Sequence, residues 1–202
     1  MIITPEHWIQ GVDRATLPGG SPMNVRRFLV MHFTGGWDAQ GTVDYWRTPA
    51  AKGACAHILI DRDGKIIQCR PFDRTAGHAG QSRWRDPKTG FLYTGLNSCS
   101  IGIELCNCGD LQRERYPAVC GGKDIPRIRA RHKNGGPSTL WETYPQAQLS
   151  AAQDLAQALV ARYKLDDVVG HDDIAPDRKN DPGPAWPMNQ FRAFLGFPPQ
   201  VP

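Results

Sequence analysis

The stretch RRFLVMHF, residues 26–33, is a short apolar run behind two arginines. Its length and composition predict a buried strand, with Phe28, Val30 and His32 on one face. Thr34-Gly35-Gly36 follows, so a histidine ends the strand beside a glycine loop. Open α/β sheets place their sites at such positions. GTVDYWRTP (41–49) predicts a short helix stopped by Pro49. CAHILIDRDGKIIQCRPF (55–72) predicts a hairpin that turns at Asp63-Gly64. In SCSIGIEL (98–105) Ile101, Ile103 and Leu105 face one way and Ser100, Gly102 and Glu104 the other.

Further on, LSAAQDLAQALVARY (149–163) predicts a helix with a core stripe through Leu155 and Leu159, and Ser150 with Gln153 resembles a capping box. DVVGH (167–171) is a short extended entry, and MNQFRAFLGF (188–197) is a last helix. Strands alternating with helices imply an α/β fold: a single domain over 1–202 with a central mixed β-sheet flanked by helices and the site at one edge of the sheet.

The 202 residues suffice for one full core, and 40% hydrophobic against 22% charged content reads as soluble and globular. The 21 glycines and 17 prolines predict long shaped loops, which suits a site built from loops on a rigid scaffold. A net charge of +4 favours anionic polymers without choosing among them. No apolar run is long enough to span a membrane, and the N-terminal stretch lacks a basic region followed by an apolar one. A chain cytoplasmic as synthesised, with no membrane insertion, is therefore expected. The six cysteines, at 55, 69, 99, 106, 108 and 120, are expected to be free thiols. Residues 106–147 read as an irregular basic insertion. In a hairpin its Arg127, Arg129, Arg131 and Lys133 would make one stripe, weighed first as a solvated face. Without a recognised motif the stripe does not imply a nucleic-acid partner.

GHDDIAPDRKNDPGPAWP, residues 170–187, is too polar for a core and too restricted for a plain loop. His171 and Asp181 could be two of the three protein ligands of a catalytic zinc, with His32 the best third. By itself a lone histidine is more often a hydrogen-bonded structural residue.

That segment resembles the C-terminal motif of the zinc-dependent N-acetylmuramoyl-L-alanine amidases of the type 2 amidase superfamily, which includes peptidoglycan-recognition proteins. LVMHFTGG, CAHILIDRDGKIIQCRPFDRTAGHAG and NSCSIGIEL resemble further segments of the same family, in order, over roughly residues 26–197. The resemblance implies one Zn2+ ion held by His32, His171 and Asp181, a general base at Glu104 and an oxyanion-stabilising cation at Lys179. It implies that His57 is structural or stands behind the ligands, and that His78 in the AGHAG loop contacts substrate. Trp84 and Trp186 are further candidates for packing against sugar or peptide. Ala56 replaces a tyrosine found in some relatives, which leaves proton transfer to Glu104, and Asn180 replaces a commoner threonine. Asp172, Asp173 and Asp177 read as caps or surface charges. The implied substrate is peptidoglycan or a muropeptide, cut between N-acetylmuramic acid and L-alanine. The basic insertion tilts this reading to a bacteriolytic phage or prophage endolysin, a monomer released to the wall through a holin. A cytosolic anhydromuramyl-peptide recycling amidase and a non-catalytic binding module are the alternatives.

Overall fold

The computed structural model describes residues 1–112, 120 and 124–200. Ten strands form: β1 Asp13–Arg14, β2 Phe28–Phe33, β3 Ile58–Ile60, β4 Ile66–Gln68, β5 Arg83–Arg85, β6 Leu92–Thr94, β7 Ser100–Leu105, β8 Arg127–Arg131, β9 Ser138–Glu142 and β10 Asp167–Gly170. Six of them make the central sheet in the order β1-β4-β3-β7-β2-β10. The β3–β4 pair is antiparallel and the other pairings are parallel, so the sheet is mixed as expected. β5–β6 and β8–β9 are separate antiparallel hairpins.

Period-two alternation sorts the sheet's side chains. Leu29, Met31, Ile101, Ile103, Leu105 and Val168 pack in one cluster with Leu155, Ala156 and Leu159 of the long helix Gln146–Tyr163 and with Phe191 of the last helix, Met188–Phe194. On the opposite face Phe28, Val30 and Val169 pack with Ala79, Leu96 and Ile174. Both faces are covered, which is why β2 runs apolar without alternation from Phe28 to Met31 and β10 sets Val168 beside Val169. His32 and Glu104 fall on the second face at the carboxyl ends of their strands, and the short helix Ala39–Trp46 lies near that end.

Three expectations are corrected. The long helix begins at Gln146 behind an N-cap at Pro145, so Ser150 lies inside it and accepts from Gln146 Nε2 at 3.2 Å instead of capping. Proline's fixed φ, −60° here, readily precedes a helix and lets it start a turn early. The 106–147 segment is not simply irregular, because it carries the β8–β9 hairpin. Nor are all six cysteines free: Cys108 and Cys120 form a disulfide, leaving Cys55, Cys69, Cys99 and Cys106 as thiols. Part of the insertion, residues 113–119 and 121–123, lies outside the described residues. Among the described residues no helix is long and apolar enough to cross a membrane.

Candidate metal centre

β7, β2 and β10 are adjacent and parallel, and each delivers one side chain at its carboxyl end. His32 sits opposite Glu104 in the register, and His171 directly follows β10. The loop after His171 then returns Asp181 to the same point. His32 Nδ1, His171 Nδ1 and Asp181 Oδ2 stand 2.9 Å from one another. All three residues are buried.

The far sides of the rings fix their tautomers. His171 Nε2 meets the carbonyl of Ala79 at 3.2 Å, and a carbonyl only accepts, so Nε2 carries the proton. His78 Nε2 meets Ser100 O at 3.4 Å and Ser100 Oγ at 3.3 Å. The Ser100 hydroxyl proton is already given to Leu96 O at 2.6 Å, so His78 Nε2 donates and its Nδ1 accepts. The partner of that Nδ1 is His32 Nε2 at 3.0 Å, which therefore donates. Both Nδ1 atoms are left as bare lone pairs, aimed at each other and at a carboxylate oxygen. Such a convergence calls for a cation at its centre. Two imidazoles and one carboxylate suit zinc with one position left for water or substrate, and these residues fit that group.

Charges agree with this arrangement. Burial, together with the neighbouring His171, lowers the pKa of His32 to about 4, so its ring is neutral near pH 7. His78 is held well below the usual histidine value by burial and by the rings of His32, His57 and His171. For Asp181, burial acts to raise the pKa, but its close contacts with His171 and His32 outweigh it and hold the carboxyl below its usual range.

A cleft of about 480 Å³ opens over these groups, lined among others by His78, Glu104, His171, Lys179, Asn180 and Asp181. Among the described residues no group donates a hydrogen bond to the buried Glu104 Oε2. Burial first, then the Asp181 charge, raises the Glu104 pKa well above the carboxylate norm, and Lys179 offsets part of this. A basic, unpartnered carboxylate beside a cation is what proton transfer needs.

His32, His171, Asp181, Glu104 and Lys179 thus come together in one cleft. His78 borders it too, but its ring is committed to His32 and Ser100, so it orients a ligand rather than presenting a free edge to substrate. Trp186 is corrected: it is 4% exposed, in the core, edge-on to Tyr144 and Phe191. Trp84 packs beside the cluster of Phe28, Val30 and Leu96, and neither tryptophan lines the cleft. His57 is buried, donating from Nε2 to Arg74 O at 2.8 Å and accepting from Gly102 N–H at Nδ1. Lys133 leaves the expected stripe to pair with Asp172 and Asp173, and Asp172 is 2% exposed rather than on the surface.

Three contributors escaped the sequence reading. Gly102 admits the His78 ring, which a Cβ there would meet at 2.5 Å. Glycine inside a strand is the available signal for such a close approach. Asn97 Oδ1 accepts from the backbone N–H groups of both His78 and Ala79, fixing the loop that orients the two histidine ligands. Arg178 Nη2 donates to Ala79 O at 3.0 Å and Gln81 O at 2.7 Å, tying the last loop to that one.

A family model described as N-acetylmuramoyl-L-alanine amidase matches residues 21–184. The 1,6-anhydro-N-acetylmuramyl-L-alanine amidase AmpD of Salmonella typhimurium (strain SL1344) is 34% identical over 175 residues, covering 82% of this chain and 74% of the relative. Among solved structures, the N-acetylmuramyl-L-alanine amidase AmiD from E. coli, in complex with the substrate anhydro-N-acetylmuramic acid-L-Ala-D-gamma-Glu-L-Lys, is similar with a TM-score of 0.62 and 28% identity, covering 95% of this chain and 61% of that one. The endolysin N-acetylmuramoyl-L-alanine amidase LysCS from Clostridium intestinale is similar in fold, with a TM-score of 0.61 and 17% identity, covering 95% of this chain and 99% of that one.

Proposed function

Because this chain belongs to the N-acetylmuramoyl-L-alanine amidase family, we propose that it hydrolyses the amide between N-acetylmuramic acid and L-alanine in anhydromuramyl peptides. The convergence of His32 Nδ1, His171 Nδ1 and Asp181 Oδ2 beside the unpartnered Glu104 carries the reading. The relative at 34% identity is named for an anhydromuramyl substrate, whereas the endolysin at 17% supports the fold alone. That favours the anhydromuramyl reading over the endolysin to which the basic insertion had tilted the sequence.

A zinc ion held by the three ligands would supply a Lewis acid that polarises the lactyl carbonyl and acidifies water. Glu104 accepts the proton of the attacking water on its free carboxylate oxygen and passes it to the departing L-alanine amine. Lys179 places its ammonium where negative charge grows on the carbonyl oxygen. His78 and the Ala79 carbonyl keep both ligand rings in the tautomer that leaves Nδ1 free.

A second reading, a wall substrate outside the cytosol, draws support from the Cys108–Cys120 disulfide, whose cysteines both line the cleft. Disulfides persist in oxidising compartments. The two readings separate in one experiment: zinc-loaded protein is given an anhydromuramyl tripeptide and intact sacculi, and the products are weighed by mass spectrometry. Free tripeptide from the soluble substrate is expected, with Glu104→Gln slower by about 10²–10⁴-fold at unchanged zinc content. Peptide release from sacculi alone would replace the first reading with the second. Zinc bound without peptide release from either substrate would leave a binding module.

A further inference from the structure

Asp172 is a carboxylate at 2% exposure, one residue past a ligand, where a surface charge or helix cap was expected. Burying it is costly unless partners satisfy it. Those partners come from 40 residues upstream, in the turn between β8 and β9. His132 Nε2 donates to Asp172 Oδ2 at 3.0 Å, while its Nδ1 accepts from Asn134 N–H at 3.1 Å. Lys133 Nζ donates to Asp173 Oδ1 at 2.5 Å and lies 2.9 Å from Asp172 Oδ1, where it pairs by charge without hydrogen-bond geometry. Asn134 Nδ2 donates to the Asp172 carbonyl at 2.8 Å. One short turn thus holds the side chain and the main chain of a single residue.

That residue joins His171, first in the short helix His171–Ile174, to Asp181 in the loop that follows. It is covalently next to His171, and its N–H donates to the carbonyl of Asp181 at 2.8 Å. Its carboxylate folds against Gly170, where any Cβ would collide with it. The hairpin also steadies the far side of Asp181. A Cβ on Gly183 would meet the ring of Trp141, from β9, at 2.9 Å, and just past β9 Tyr144 OH donates to Pro182 O at 2.7 Å. Displacing Asp172 would therefore move His171 and Asp181 together.

We propose that the β8–β9 turn is a clamp on the metal loop, with His132 and Lys133 as positioning residues that set the spacing of His171 and Asp181 through Asp172. The inference rests on the three-ligand metal reading above. Groups that orient metal ligands typically change metal affinity or activity by about 10–100-fold when lost.

The test measures zinc affinity of apo-protein against a competing chelator, with cobalt substitution as a spectroscopic report on ligand geometry. His132→Ala/Lys133→Ala is expected to bind zinc at least about tenfold more weakly and to shift the cobalt bands. His132→Gln, which keeps a donor near the ε position, should recover part of the affinity. Lys133→Ala alone, at a side chain 44% exposed, should lose less in the same direction and spares the core if the double variant does not fold. Arg129→Ala, on the same hairpin but off the clamp, should match wild type. Wild-type zinc affinity and cobalt bands in either folded clamp variant would overturn the clamp, as would an equal loss in Arg129→Ala. Failure of the wild type itself to bind zinc would instead overturn the metal reading.

Discussion

His57 is the residue at which burial makes a prediction of its own. Its ring is enclosed, and both nitrogens are committed in the neutral form to Arg74 O and Gly102 N–H. Burial lowers its pKa from 6.5 to about 4, the Arg74 carbonyl working against the fall and Arg70 adding to it. Between those values the unfolded chain binds a proton that the folded chain refuses. Stability is therefore whole above about pH 6.5 and falls as pH drops towards 4, by about 3 kcal/mol in the limit. Urea midpoints of metal-free protein across that window should drop more steeply for wild type than for His57→Gln, and equal slopes would refute the assignment. The family resemblance suggested a structural role for His57, but nothing local revealed that His57 shares Gly102 with the site. The gathering of His32, His171 and Asp181 was legible through the family resemblance, since a histidine alone reads first as structural. Trp186 was not, since a tryptophan after a proline turn suits a rim as well as a core.

Elements were read well where a period repeats and poorly where contact partners are distant. β2, β7 and the β3–β4 hairpin follow from alternation and an Asp-Gly turn, and their register places His32 opposite Glu104. The hairpin in the insertion has no such apolar rhythm: β8 is RIRAR and owes its place to Trp141, Tyr144 and the Asp172 pairing. Cysteine pairing is likewise set by geometry, a Cα separation of 6.4 Å within the insertion, rather than by the spacing of C-x-C. Denatured, unreduced protein should therefore titrate as four thiols, Cys55, Cys69, Cys99 and Cys106, and as six after reduction. Closing a loop of this size stabilises by about 3 kcal/mol in the chain-entropy description, so the reduced form should unfold at lower urea. Six thiols without reductant would remove the bridge and, with it, the support for a wall substrate.

At the scale of the whole molecule, the two substrates differ most in length and charge, and the surface responds to both. Lys133 is drawn into ion pairs, but Arg127, Arg129 and Arg131 remain exposed on β8. The turn of their hairpin borders a second cavity of about 280 Å³ that shares Arg178, Lys179 and Asn180 with the main cleft. An anionic polymer lying across the cleft would pass near this stripe, whereas a small muropeptide held at the metal would not reach along it. Attraction between exposed charges reaches about 30 Å at 0.01 M salt and about 3 Å at 1 M. Replacing all three arginines by glutamine should weaken binding to intact sacculi several-fold at low salt, with the difference vanishing at high salt. Turnover of the soluble anhydromuramyl tripeptide should stay unchanged at both. Co-sedimentation with sacculi across a salt series, beside the soluble assay, measures the two arms. Equal sedimentation at low salt would leave the stripe a solvated face, and a loss confined to the soluble assay would mean that the hairpin touches the small substrate directly.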